Sequence, residues 1–374
     1  MTEPTRIESQ LVEGPRRRKP AAQGRRVTMT DIAKAAGCSQ ATVSFILNNT
    51  PGIKFSQQTR ERVIGEARRL GYRLPAFGAS YPRSSSPSTV LDGVIGFVTD
   101  QLATSPEAVV AIEGVRQASW NAGNVVLVAQ TMSDAVMEPR AIAALTAQGI
   151  SALVYMTIFT REIETPPHLA TLDIPVVLLN CYTADYAFPA VVPSEIAGGQ
   201  SSTRHLIQHG HRRIATITGE PWMQAAQDRL KGYRRALATA DIPFDADLVV
   251  EGDWSASAGY AATQKLLALP NPPTAIFCQN DRTAIGCYEA LKEAGLHIPQ
   301  DMSVIGYDDE EIARHLFPPL TTSVLPHMAM GQWAVEQFET PRMPGKGRYP
   351  ITKLECSLVE RESVAAPKGV GRSD

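Results

Sequence analysis

From Asp92 onward the chain alternates short apolar runs with helix-length segments. Eight runs have strand character: 93–98, 125–129, 152–156, 174–179, 214–218, 248–250, 275–278 and 304–307. Continuous apolar runs separated by helical connections predict parallel strands covered by helices on both faces. Eight such strands exceed one ordinary sheet, so the pattern predicts two doubly wound lobes. Open sheets of this kind bind small molecules beyond the C-terminal ends of their strands, so a cleft is expected there.

The first quarter of the chain reads differently. Over 27–48, two short helical patterns meet at Gly37, Cys38 and Ser39. Ile32, Ala33 and Ala36 form the apolar stripe of the first, with Thr30 read as its N-cap and Gly37 as the left-handed stop. Ser39 caps the second, where Val43, Ile46 and Leu47 face inward and Gln40, Ala41, Thr42, Ser44 and Phe45 outward. A third helix is predicted over 56–70, carrying Arg60, Arg62, Arg68 and Arg69 and ending at Gly71. This is the layout of a helix-turn-helix that enters the major groove of duplex DNA. A plain helical hairpin with a solvated basic face is the structural alternative.

Charge separates the two. Residues 1–73 hold 14 Lys and Arg against 6 Asp and Glu, leaving 22 basic and 32 acidic residues in the remainder. The overall net charge of −2 conceals a basic head on an acidic body, the footprint of nucleic-acid binding confined to one end. Arg16, Arg17, Arg18 and Lys19, with Arg25 and Arg26, mark 1–26 as a disordered basic arm adding non-specific phosphate attraction, or a solvating tail without a role. No apolar run is long enough to span a bilayer and the start is polar, so a cytoplasmic protein without membrane contact is expected. The five scattered cysteines, at 38, 181, 278, 287 and 356, read as reduced thiols with no metal-ligand spacing.

The residues Val27-Thr28, Asp31-Ile32-Ala33, Ala36-Gly37, Ser39, Thr42-Val43-Ser44, Leu47-Asn48, Thr59-Arg60 and Gly71-Tyr72 resemble the lac repressor (LacI/GalR) family of bacterial transcription regulators. The resemblance runs from about 27 to 362. It implies an all-α helix-turn-helix head at 27–74 and a hinge at 75–92. It also implies a periplasmic-binding-protein-like effector and dimerisation domain at 93–362, followed by a disordered tail at 363–374. Three crossovers are expected between its two lobes. In the family, Thr28, Ser39, Thr42, Ser44, Asn48, Thr59 and Tyr72 fall where phosphates are held, and Gln40, Ala41 and Phe45 where bases are read. A phenyl ring at Phe45 favours a thymine methyl over a guanine edge. The family hinge folds into a short helix with a leucine wedged into the minor groove. Here the proline falls one place late, as Pro75, and Tyr81 stands near the leucine position. Gly78 and Pro82 disfavour helix, leaving Tyr81 or Phe77 as the candidate wedge.

The resemblance also places the effector. Asp228-Arg229-Leu230-Lys231-Gly232-Tyr233 matches the family's Arg-Leu-x-Gly-Tyr motif. Ser105, Glu107, Arg229, Trp254, Asn280 and Asp308 fall at positions that bind sugar hydroxyls in relatives. The chemistry suits them: Arg and carboxylates pair bidentately with vicinal hydroxyls, and an aromatic ring stacks on a pyranose face. The structural alternatives are a plain salt bridge at Arg229, core packing for Trp254, and helix caps at Asp281 and Asp309. Many relatives carry Val-Asp-Asn where this chain has Val192-Pro193-Ser194, so Glu195 or Asn180 is expected to replace the aspartate.

His205, His209 and His211 read as a helix end with Gly210 as its stop, not as metal ligands. Neither a nucleophile elbow, a zinc-protease motif nor a phosphate loop is present, so neither catalysis nor a cofactor is expected. The favoured function is a homodimeric repressor of a palindromic operator, controlled by a carbohydrate effector. A corepressor such as a purine base, or a protein partner, is the alternative. A sugar-transport component conflicts with the basic head and polar start. The polar C-terminus lacks leucine heptads, which favours a dimer over a tetramer.

Overall fold

A computed structural model of the chain describes residues 29–38, 42–43, 46, 57–70, 93–103, 106–120, 123–339, 343–344 and 347–368. The chain divides into two units, Met1–Ser84 and Ser85–Asp374.

In the first unit, helix α1 (Met29–Ala36) and helix α2 (Gln57–Arg69) close a small core. Ile32, Ala33, Ala36, Val43, Ile46, Val63 and Ala67 are buried in it, with Cys38, Ile64 and Leu70 packed at its margin. Gly37 takes φ +61° and ends α1, as its sequence position predicts. Thr30 is not the cap, because α1 begins at Met29 and contains it. The arm at 1–26 and the hinge at 75–92 lie outside the described residues.

The second unit holds two six-stranded sheets, orders β11-β5-β4-β3-β1-β2 and β12-β10-β9-β8-β6-β7. The first contains β1 (Val94–Thr99), β2 (Val125–Gln130), β3 (Ile150–Ile163), β4 (Val176–Thr183), β5 (Ala190–Pro193) and β11 (Ile351–Leu354). The second contains β6 (Ile214–Ile217), β7 (Val249–Val250), β8 (Ala275–Cys278), β9 (Ser303–Asp308), β10 (Thr321–Val324) and β12 (Leu358–Val359). Among the described residues every pairing is parallel except β10 with β12. In each sheet the first five strands follow the order 2-1-3-4-5, the doubly wound pattern with a switch point beside its first strand. The chain changes lobe three times, at 193–195, 324–327 and 354–358. Ser194 N donates to Leu354 O (2.8 Å) and Val324 N to Ser357 O (2.8 Å), so the crossovers brace one another.

The helices are α3 (Glu107–Trp120), α4 (Met137–Ala147), α5 (Pro167–Ala170), α6 (Glu195–Gln208), α7 (Gln224–Thr239), α8 (Ala256–Leu267), α9 (Asp281–Glu293) and α10 (His327–Glu339). Two apolar clusters sandwich each sheet, one on either face. Helix pairs meet through reciprocal glycines. A Cβ on Gly199 of α6 would lie 2.4 Å from Arg229 O, and one on Gly232 of α7 2.3 Å from Ile196 O. That close approach sets Glu195 and Arg229 on facing helices.

Four strands, β5, β10, β11 and β12, escape the sequence pattern, being two to four residues long and, in β10, made of buried Thr and Ser. The tail expected from 363 is also wrong as far as Lys368. Ser363 is fully buried, donating to Val304 O (2.6 Å) and accepting from Thr321 N (2.8 Å), while Ala365 N donates to Ser303 Oγ (3.0 Å). Hydroxyl and backbone bonds hold this segment, and composition does not report them.

Candidate functional site

A cavity of about 300 Å³ opens between the lobes at the C-terminal strand ends, where the doubly wound order puts it. Arg229, on the first turns of α7, is its centre. Nε and Nη2 donate to the Glu195 carboxylate at 2.8 and 3.0 Å, a two-pronged pair buried on both sides. Nη1 donates to Gln279 O and reaches Asp308 Oδ1 at 3.4 Å. The guanidinium lies 3.8 Å from the Tyr307 ring centroid and 5.5 Å from that of Trp254. Burial pushes the Asp308 carboxyl well up from its usual range, with Arg229 opposing. Arg229 is thus both the salt bridge of the structural alternative and a lining residue of the cleft.

Trp254 follows β7 at φ +69°. Its indole lies against Gly219, where a Cβ would come within 1.9 Å of the ring, and Nε1 donates to Met223 Sδ at 2.9 Å. Asn280 caps α9: its Oδ1 accepts from Thr283 N at 2.9 Å, and Nδ2 donates to Trp254 O at 3.0 Å. The cap is therefore Asn280 and not Asp281, while Asp309 pairs with Arg361. Backbone strain gathers here. Asn180 (φ +58°), Trp254 and Asp308 (φ +112°) all line the cleft, and such outliers collect at ligand sites.

The first lobe supplies a bulge. The β3–β4 register shifts between Met156 and Arg161, which turns Ile158, Phe159 and Thr160 into the cleft. Asn180 holds the bulge: Nδ2 donates to Thr157 O (3.1 Å) and Ile158 O (2.8 Å), and Oδ1 accepts from Thr160. Of the two residues expected to replace the missing aspartate, Asn180 braces the wall and Glu195 balances Arg229.

Two polar groups at the cleft lack a protein partner among the described residues, Glu107 Oε2 and His327 Nε2. His327, on the second crossover, is neutral, its imidazole pushed down to about 3 by burial and by Arg229. Motif reading missed it, along with Phe159, Glu220, Arg282 and Glu310. No sequence signal marks His327, because the strand that precedes it, β10, is itself made mostly of Thr and Ser. Ser105 lies outside the described residues.

Beneath the cleft, Asp281 accepts from the Thr322 hydroxyl (2.6 Å) and Glu310 N (2.8 Å). Burial pushes its carboxyl up to about 7, with Glu310 and Asp309 adding and the two hydrogen bonds opposing. An unfolded aspartate titrates near pH ~4. The folded state therefore holds a proton that the unfolded state has lost, and the stability this carboxyl contributes falls as pH rises from about 4 to 7. Asp281→Asn should flatten that slope, raising stability at pH 7.5 relative to wild type by a few kcal/mol at most, since each tenfold change in proton affinity is about 1.4 kcal/mol. Chemical denaturation of both proteins at pH 5 and 7.5 checks it. An unchanged slope would contradict the assignment.

Each of the three histidines has a partner within the protein, and the rings of His205 and His209 lie with centroids 4.4 Å apart. His209 Nδ1 lies 2.9 Å from His205 O, His205 Nδ1 lies 3.6 Å from Glu360, and His211 meets Thr274, Ser303 and Ala365 O. α6 ends with Gly210 at φ +95°, as expected.

On the head, Thr42 and Thr59 are half-buried beside the core. Thr28, Ser39, Ser44, Asn48, Tyr72, Gln40, Ala41 and Phe45 lie outside the described residues.

Residues 28–74 match the model of bacterial regulatory proteins of the lacI family, and residues 203–364 that of the periplasmic binding protein-like domain. The ribose operon repressor of Haemophilus influenzae is 31% identical over 91% of this chain and 99% of its own length. Two solved structures, each 28% identical, align over their full lengths. The transcriptional regulator CelR–cellobiose complex covers 90% of this chain with TM-score 0.60. The lac repressor dimer bound to operator and the anti-inducer ONPF covers 91% with TM-score 0.61. A DNA-binding head and a two-lobed body define a regulator of transcription. The chain belongs to the lacI family of bacterial regulatory proteins.

Proposed function

We propose that the protein is a homodimeric repressor whose operator binding is set by a small carbohydrate held between the lobes. One observation carries the reading: Arg229, the Trp254 indole, His327 Nε2 and Glu107 Oε2 converge on one cleft, the last two without protein partners among the described residues. Hydroxyls satisfy such groups, and an indole face covers the apolar side of a sugar ring. The ribose and cellobiose in the relatives' names agree. Glu107, Arg229, Trp254 and Asp308 are the contact residues, joined by Ser105, which follows β1 in the sequence, while Asn280 fixes Trp254 from behind. The protein works in the cytoplasm without catalysis; no helix among its described residues is long and apolar enough to cross a membrane.

Operator contacts fall to the head at 27–74. Thr28, Ser39, Thr42, Ser44, Asn48, Thr59 and Tyr72 hold phosphates, and Gln40, Ala41 and Phe45 read bases. The body runs from 93 through the segment ending near 368. Pairing uses the edge strand β2 and the helices beside it, where Val109, Trp120, Val125, Val128, Met132, Val136 and Met137 are exposed. One head spans too few base pairs for specificity, so two must act together. Duplexes selected by the full chain from a random library should carry an inverted repeat. Selection of a single unrepeated half-site would refute dimeric recognition.

A further inference from the structure

The mouth of the cleft carries aromatic surface that the contacts above leave unused. Glu220–Met223 is a tight turn, with Met223 N donating to Glu220 O at 3.0 Å and Pro221 at its second position. Gln227 Nε2 anchors it through Pro221 O at 2.9 Å. The turn presents Trp222, which is 65% exposed. Across the cleft the β3 bulge presents Phe159, and the two rings meet edge to face, centroids 6.1 Å apart at 85°. This contact joins the two lobes at the entrance. Deeper in, the Trp254 indole offers a separate ring face beside Arg229. Glu220 and Met223, the two ends of the turn, line the cavity, so the exposed indole carried between them stands on its rim.

The charge of the lining is equally one-sided. Glu107, Glu195, Glu220, Asp253, Asp308 and Glu310 face two guanidiniums, Arg229 and Arg282. Arg229 is matched by Glu195 and Asp308, and Arg282 pairs with Glu310 at 3.1 Å. A phosphate brought here would meet net negative charge with its candidate cations already neutralised.

Resting on the carbohydrate reading of this cleft, we infer that the effector is an uncharged oligosaccharide of at least two rings. The inner ring sits beside Trp254 and Arg229, and the outer ring stacks on Trp222 at the mouth, where it displaces or extends the edge contact with Phe159. Phosphorylated sugars are excluded. Stacking of this kind, with the apolar area it covers, corresponds to about tenfold in affinity.

Calorimetry on the full chain tests this with cellobiose, maltose and lactose, the constituent glucose and galactose, and glucose 6-phosphate. At least one disaccharide should bind tenfold or more tightly than its own monosaccharides, with no binding of glucose 6-phosphate. Trp222→Ala should bring the disaccharide-to-monosaccharide ratio close to one, and Trp222→Phe should retain most of it. Since Trp222 is exposed, both variants should fold, which circular dichroism checks. A monosaccharide bound as tightly as its disaccharide, a ratio unmoved in Trp222→Ala, or binding of glucose 6-phosphate overturns the inference while the carbohydrate reading stands. Failure of every sugar to bind overturns both.

Discussion

Arg229→Ala should produce a protein that is both deaf to its effector and markedly less stable. The arginine is 3% exposed and makes a two-pronged pair with Glu195, itself 4% exposed. Removing one partner of such a pair strands the other charge in the interior, at a cost of about 3–5 kcal/mol. For a body whose total stability is of order 5–15 kcal/mol, that is a large fraction. In the proposed function effector affinity should fall for a second reason, since the guanidinium would no longer be there to meet ligand hydroxyls. The two effects separate in a double variant. Glu195→Gln with Arg229→Met removes both charges and keeps most of the packing volume, so it should regain most of the lost melting temperature. It should still fail to respond to sugar, while operator binding without sugar persists. Thermal unfolding and calorimetry on the three proteins decide the matter. A single variant as stable as wild type would mean that the pair does not form. A double variant with normal sugar affinity would mean that Arg229 only holds α6 to α7.

Gly219→Ala should have the next largest effect, by moving a ring it does not itself contain. A Cβ at 219 would lie 1.9, 2.0 and 2.4 Å from three atoms of the Trp254 indole. The ring must swing away from Arg229 and break its contact with Met223 Sδ. Overpacking of this kind costs about 1–3 kcal/mol, which a domain of this size tolerates. The stacking surface is lost, so effector affinity should fall tenfold or more, with a change in tryptophan emission in the free protein. Unchanged affinity and emission would show that Trp254 does not sit where the cleft needs it.

The architecture was legible because both lobes write their central strands as unbroken apolar runs; β8, at Ala275–Cys278, coincides with its sequence prediction to the residue. What escaped was held by polar atoms. β10 reads Thr-Thr-Ser-Val and is buried because Thr322 bonds Asp281 and Thr321 N meets Ser363, partners far away in sequence. The segment after 362 has the composition of a tail and the bonding of a strand edge. In the cleft, Arg229, Trp254 and Asp308 came from a motif and from strand ends, which topology places together. Glu195 stood out only because Pro193 occupies the place of an expected aspartate. His327 and Phe159 carried no such mark: one depends on a crossover and the other on a bulge, neither of which periodicity reveals. Phe45 and the other residues proposed to read bases lie outside the described residues, and their role rests on the sequence resemblance alone.

Control follows from connectivity. β1 of the first lobe succeeds the linker directly, so a ligand that draws the lobes together acts on the element to which the head is attached. Couplings between such sites are typically about 1–3 kcal/mol, or roughly 5–150-fold in affinity. The decisive measurement is the affinity of the full-length protein for its selected duplex, by fluorescence anisotropy at fixed salt, with and without each sugar of the panel. One uncharged sugar should change that affinity by at least fivefold, and the Arg229→Met, Glu195→Gln double variant should not respond to it. An affinity that no sugar alters, or a response that survives in the double variant, would contradict control through this cleft.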